Sequence, residues 1–225
     1  MGKWDALVKG ALLHDIGKVV YRANQGTDAH SKRGAAFIEP YFSDMGLKQS
    51  ITHCLKYHHG KELSAAQLKS DDYAYIVYEA DNIAAAVDRR DLEGGDENTS
   101  TQKFDKELPL QSIFRVFGGK TSTQPLQYYL RGIDVSDHFN YPESDKTIRA
   151  SSDKYKALYD VLVQNFQQQP IDKMSVNELL RIYEDTVYYM PSSTATDQAN
   201  DISLYMHSKI TDRKSTRLNS SHHVV

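Results

Sequence analysis

The sequence predicts a mainly α-helical domain carrying a small β insertion, and three observations lead there. Apolar residues recur at three- and four-residue spacings on both sides of a central stretch, which is the helical period. The central stretch, from about Leu92 to Glu143, loses that period and is Gly-, Thr- and Phe-containing. Gly17, Pro40 and Gly60 fall at the edges of the periodic segments, where helices stop.

From Asp5 to about Arg22, Leu7, Ala11, Leu12, Ile16 and Val19 follow the helical spacing. The segment reads as one helix with His14 and Asp15 in its last turns and Gly17 loosening its end. Asn24 to Asp28 is a Gly-containing turn. A second helix starts near His30 and carries Ala35, Phe37 and Ile38 before Pro40. A third runs from about Leu47 through Ile51, Cys54 and Leu55 to His58, with Gly60 past its end. That spacing sends His58 to the core side and leaves His53 out of phase with it. The clearest helix is Asp71 to Arg90, where Ile76, Val77, Ala80, Ile83, Ala84 and Val87 form an apolar stripe containing Asp81. Ala84 to Ala86 would let another helix approach closely. EGGDENTS (93–100) is a polar loop, and SIFRVFGG (112–119) and QPLQYYLRGI (124–133) read as short strands or extended pieces, with Gly118-Gly119 as a turn between them. Helical patterning returns over Tyr155 to Phe166 and Val176 to Tyr188. PSSTATDQAND (191–201) reads as a linker closing on Asp201 to His207, the start of a last helix.

With 225 residues the chain suits one substantial domain or two small ones. A formal charge of -3 and a pI near 6.3 give no overall basic footprint, so any nucleic-acid contact is local or supplied by a partner. Cys54 is the only cysteine, which excludes an intrachain disulfide and fits a reducing compartment. The charged N-terminus lacks the apolar core of a signal peptide, and no apolar run has membrane-spanning length. A cytoplasmic protein without membrane partners is expected. From Asp212 the residues DRKSTRLNSSH are the translation, in one frame, of a common short-read sequencing adapter. All eleven match, so 212–225 is expected to be a non-native tail after a domain over 1–211 whose natural sequence continues past Thr211. His222 and His223 are accordingly left out of the ligand set.

The string Ala11-Leu12-Leu13-His14-Asp15-Ile16-Gly17-Lys18 sets an imidazole beside a carboxylate in an apolar run. Burying the two together is costly unless something compensates them, and a bound metal ion is the usual compensation. An isolated pair would read as a core histidine beside a surface aspartate. Here His30, His58-His59, Asp81 and His207 follow in helix-like segments, although a surface salt bridge is a second reading of Asp81. Imidazole nitrogen with carboxylate oxygen suits Mn²⁺, Fe²⁺, Ni²⁺, Co²⁺ or Zn²⁺. Five histidines and two aspartates exceed the need of one structural zinc. Two ions sharing a carboxylate would use them all, activating a water and clamping a phosphoryl centre. Lys18, one turn beyond His14, is placed to bind a substrate phosphate, or else simply ends the helix in solvent.

The motifs GALLHDIGK (10–18), the histidine of HSKRGAAF, KYHHGK (56–61), EADNIAAAVDRR (79–90), LQSIFRVF (110–117) and PSSTATDQANDISLYMHSK (191–209) carry a resemblance. The chain is similar to HD-superfamily metallophosphohydrolases, and specifically to the N-terminal HD nuclease domain of the large subunit of type III-A CRISPR–Cas (Csm) effector complexes. The resemblance spans Trp4 to Thr211. His207 falls where this family's circularly permuted arrangement has its last histidine. The resemblance implies that His14, Asp15, Asp81 and His207 hold one ion, Asp15 bridges, and His30, His58 and His59 surround a second. Asp15 and Lys18 are then the catalytic residues, and Mn, Ni or Co the expected metal. It further implies cleavage of single-stranded DNA within a complex of other Csm subunits and CRISPR RNA, and a parent protein that makes cyclic oligoadenylates through domains absent here. Two other readings share the site: an HD phosphohydrolase of small or cyclic nucleotides, and a scaffold with a vestigial site that docks other subunits. The intact ligand set speaks against the second.

Overall fold

Helix α1 (Lys3–Leu13) is apolar almost all round, with Ala6, Leu7, Val8, Ala11, Leu12 and Leu13 all buried. A helix of that kind belongs at the centre of a bundle. In the computed structural model it is flanked by α4 (Met45–Lys56), α6 (Tyr73–Asp88), α8 (Val176–Val187) and α9 (Leu204–His222). The structure describes residues 3–88, 103–118, 125–133 and 140–222, and over these the fold is mainly α. Lys9 is buried with its helix, its ammonium donating to the main-chain oxygens of Ile171 and Met174 at 3.2 and 2.7 Å. That contact ties α1 to the turn between α7 (Ser152–Gln168) and α8.

The single helix expected from Asp5 to Arg22 is broken at His14 to Ile16 and restarts as α2 (Gly17–Arg22). Gly17 therefore opens a helix instead of loosening the end of one. A Cβ there would lie 1.8 Å from the His30 carbonyl oxygen and 2.7 Å from the Gly34 nitrogen, so α2 and α3 (His30–Ile38) meet backbone to backbone. The turn from Asn24 to Asp28 is as expected, with positive φ at Asn24 (56°) and Gly26 (77°). Helix α4 is capped by the Asp44 carboxylate and stops at Lys56. His58 and His59 occupy the turn that follows, and Gly60 starts α5 (Gly60–Ala65).

Helix α6 buries Ala74, Val77, Ala80 and Ala84, whereas Ile83 is 38% exposed, so the apolar stripe is narrower than the sequence predicts. It runs along α9, whose buried Ser208, Thr211 and Ser215 are equally small. Arg89 and Arg90 lie outside the described residues. Helix α7 buries Tyr155, Leu158, Leu162 and Phe166 at spacings of three and four. Ser175 and Glu178 form a reciprocal capping box on α8.

Of the two segments read as short strands or extended pieces, 125–133 pairs through bridges at Gln127, and 113–118 does not follow that reading. Ile113–Gly118 is a 3-10 turn, begun where the Ser112 hydroxyl accepts from the Phe114 N–H at 3.3 Å. Among the described residues, β pairing is limited to single bridges: Gln111 with Gln127, Gln127 with Glu143, Phe104 with Ala195, and Pro191 with Ser203. The polar loop 93–100 and Gly119 lie outside the described residues. The 191–201 segment is not a free linker. Arg22, buried beside Tyr155, donates to the Pro191 and Ser192 carbonyls at 2.6 and 3.3 Å. Helix α9 begins at Leu204 and continues to His222, so the segment from Asp212 to that point is helical. No helix among the described residues is long and apolar enough to cross a membrane.

Candidate metal centre

The break between α1 and α2 places His14 and Asp15 on a tight turn, closed by the Ile16 N–H to Leu13 O and the Lys18 N–H to Asp15 O, both at 2.9 Å. Asp81 projects from the middle of α6 and His207 from the first turn of α9. One ligand atom from each of His14, Asp15, Asp81 and His207 lies within 4.8 Å of the others. His207 Nε2 is 3.0 Å from Asp81 Oδ1 and 3.5 Å from Asp15 Oδ2. His14 Nε2 is 3.4 Å from each of the same two oxygens. His30, His58 and His59 form an adjacent group by the same measure. Asp15 faces both groups, with Oδ1 at 3.3 Å from His30 Nε2 and 3.6 Å from His58 Nε2. Asp81 turns toward His14 and not toward bulk solvent, its side chain 15% exposed. His53 stays away and pairs with Asp72 at 2.7 Å. Lys18 Nζ donates to Asp15 Oδ2 at 2.6 Å, so its charge is directed at the carboxylate as well as at the cleft beside it.

Two of the rings are aimed by the main chain. His14 Nδ1 donates to Ala11 O at 2.8 Å, and His58 Nδ1 to Leu55 O at 2.6 Å. A carbonyl only accepts, so Nδ1 carries the proton and Nε2 is turned toward the centre. Burial pushes His30, His58 and His59 below the ordinary imidazole range, His59 to about 4 with His58 adding to the shift. Neutral imidazoles are the ligating form. Burial also works against a charged His14, but Asp15 and Asp81 outweigh it and raise that ring to about 10. Burial likewise opposes the ionised carboxylates. Lys18 and His14 nonetheless hold Asp15, and His14 and His207 hold Asp81, well below the usual range.

His14 Nε2, Asp15 Oδ1 and His58 Nε2 are buried without a hydrogen-bond partner. Buried polar atoms left so are costly, and a cation is a partner that all three accept. Ligand atoms 3.0 to 3.5 Å apart also suit bonds of ~2.0–2.2 Å to one ion. The cluster is therefore compatible with metal binding.

A cleft of about 440 Å³ opens onto the centre. Besides Asp15, Lys18, His30, His59, Asp81 and His207, its lining includes Tyr21, Arg22, Asn82, Phe104, the 192–194 segment and Gln198. Sequence reasoning did not find these. Phe104 sits outside any periodic segment, and a Ser/Thr run reads as a linker until its main chain is seen to pair with 103–105.

The sequence pattern of the HD domain family matches residues 3–86, a span holding every candidate metal ligand named above except His207. The chain is 40% identical over 218 residues to the CRISPR system single-strand-specific deoxyribonuclease Cas10/Csm1 (subtype III-A) of Enterococcus italicus, covering 94% of this chain. Its counterpart in Streptococcus thermophilus is 32% identical over 206 residues, covering 91%. The chain corresponds to the HD-domain portion of Cas10/Csm1 proteins. It spans only 28% and 26% of those two Cas10/Csm1 proteins. Among solved structures, Csm1 of T. onnurineus superposes with a TM-score of 0.69 at 24% identity, over 98% of this chain and 29% of that one. A Csm1-Csm4 cassette in complex with cA3 gives 0.70 at 24% identity, over 99% and 28%. At that identity the likeness establishes the fold, so the helical bundle here is the Cas10/Csm1 HD fold.

Proposed function

We propose that this domain hydrolyses phosphodiester bonds of single-stranded DNA in a metal-dependent reaction, within a type III CRISPR antiviral effector complex. The observation that carries the reading is the convergence of His14, Asp15, Asp81 and His207 around buried atoms that lack a partner. The relatives are named as single-strand-specific deoxyribonucleases, which supports the choice of substrate. Mn, Ni or Co is the expected metal, as one or two ions, with His30, His58 and His59 around the second. A divalent cation held there supplies Lewis acidity toward water and toward the phosphodiester.

The residues of the chain do the rest. Asp15, with one oxygen toward each histidine group, would be the carboxylate shared between two ions. The main-chain carbonyls of Ala11 and Leu55 keep the His14 and His58 rings from turning away. Lys18 presents its ammonium where a substrate phosphate enters the cleft. In the reaction a water oxygen bonds to phosphorus, the bond to the leaving sugar oxygen breaks, and that oxygen takes up a proton. Other Csm subunits and CRISPR RNA are the expected partners, in the cytoplasm. Residues 1–211 are read as the nuclease domain and 212–225 as the adapter-derived tail.

The test is a metal-titrated cleavage assay on single-stranded DNA, duplex DNA and cyclic nucleotides in parallel. Single strands should be cut with Mn²⁺ present and spared when it is chelated. Preferential hydrolysis of cyclic nucleotides would move the domain to the small-nucleotide phosphohydrolases, and inertness toward all three would make it a scaffold.

A further inference from the structure

Phe104 is 64% exposed although it stands in the wall of the cleft that holds Asp15, Asp81 and His207. A single exposed aromatic ring is ordinary on a protein surface. This one is held in place by main-chain pairing. Phe104 bridges to Ala195, the Asp105 N–H donates to Thr194 O, and the Thr196 N–H to Lys103 O, both at 2.9 Å. Two residues on, Lys106 sets its ammonium 4.0 Å from the ring of Tyr21, which lines the same cleft. An apolar ring face and the amides of Asn82 and Gln198 therefore line one cleft with the Asp15 and Asp81 carboxylates, and the Lys106 ammonium stands over the Tyr21 ring of that cleft.

Resting on the nuclease reading, we propose that Phe104 is a stacking platform for a nucleobase next to the scissile phosphate, and that Lys106 contacts the adjoining backbone phosphate. An unpaired base has a free π-face and stacks on aromatic side chains regardless of its identity. A base inside a duplex has both faces covered by its neighbours. Selection of single strands then follows from one side chain at the entrance, with no strand-separating element required. Phe104 is a substrate-positioning residue and takes no part in bond making.

The proposal is tested by the affinity of the full chain for fluorescein-labelled oligothymidylate, read by anisotropy with EDTA present so that no cleavage intervenes. Phe104→Ala should weaken binding about tenfold, the scale of one base–aromatic stack, and Phe104→Trp should retain it. An oligonucleotide with abasic residues should bind the parent more weakly, yet bind parent and Phe104→Ala alike, because the partner of the ring is gone. Lys106→Ala should lower the salt dependence of binding by about one phosphate contact. Unchanged affinity in Phe104→Ala, or an equal loss on abasic and normal strands, overturns the platform. If Phe104 behaves as described while the parent cuts no DNA with any metal, the nuclease reading fails and the platform stands. Cleavage with no effect of Phe104 gives the reverse.

Discussion

Asp15 has one oxygen toward His14 and His207 and the other toward His30 and His58. Removing it disconnects the two histidine groups. Asp15→Ala should therefore abolish Mn²⁺-dependent cleavage of single strands, by about 10²–10³-fold or more, and lower the Mn²⁺ stoichiometry seen by titration calorimetry. Lys18→Ala should weaken cleavage while leaving that stoichiometry unchanged. Residue types and spacing alone nominate the seven candidate ligands, which the structure brings into two adjacent groups, and leave His53 out. The aiming of His14 and His58 by carbonyls three residues back was not readable, because it depends on turns that the apolar spacing conceals. A different residue sets a pH dependence. The Asp212 carboxyl is pushed up from 3.8 to about 6, chiefly by burial. Folded, it binds a proton more readily than unfolded, so stability falls as pH rises through that interval and the penalty is complete above it. Asp212→Asn should stabilise the chain by about 1–2 kcal/mol at pH 8, allowing for the solvent that reaches the group. Near pH 4 the two should converge. Urea unfolding at both pH values reads the difference.

At the scale of elements, the contact between α2 and α3 has the least tolerance. Gly17→Ala puts a methyl group into the His30 carbonyl, and neither backbone can yield without moving a helix. Overpacking of this kind costs about 1–3 kcal/mol and sometimes more. The shift should carry His30 away from Asp15, so denaturant unfolding and metal stoichiometry should both suffer. A variant that loses stability and keeps both histidine groups loaded would place the strain elsewhere. The same contact explains an error of the sequence reading. Ile16 and Val19 prolong the helical spacing past His14, so Gly17 reads as a loosened helix end and not as the start of a second helix, which follows from a partner helix arriving there. The 3-10 turn at 113–118, where a strand or extended piece is expected, has a similar origin. A Phe-rich run has the composition of a strand, but the Ser112 side chain turns it into a 3-10 segment. By contrast α7 and α8 were legible, since both are plainly amphipathic and α8 carries its own capping box.

For the molecule as a whole, α9 is the element on which the site most depends, because it supplies His207 and packs along α6 and α1. The stretch from Asp212 onward extends that helix by propensity and buries Ser215 without a hydrogen-bond partner. A chain ending at Thr211, the full chain, and one continued past Thr211 with a relative's sequence should differ in Mn²⁺ affinity and thermal midpoint. The last should lead in both, because isolated helical ends shorter than ~12–15 residues are marginal. Equal behaviour of all three would show that α9 needs nothing beyond Thr211.

His14 and His207 lie near opposite ends of the chain and meet over Asp81. An ion gripped between them would act as a clasp on nearly the whole polypeptide, and clasps that close long loops restrict the unfolded chain most. Occupancy of the centre would then be legible far from any substrate. Deuterium uptake at the α9 amides should slow when Mn²⁺ is added and quicken when it is chelated, which makes the last helix a gauge of whether the first is loaded.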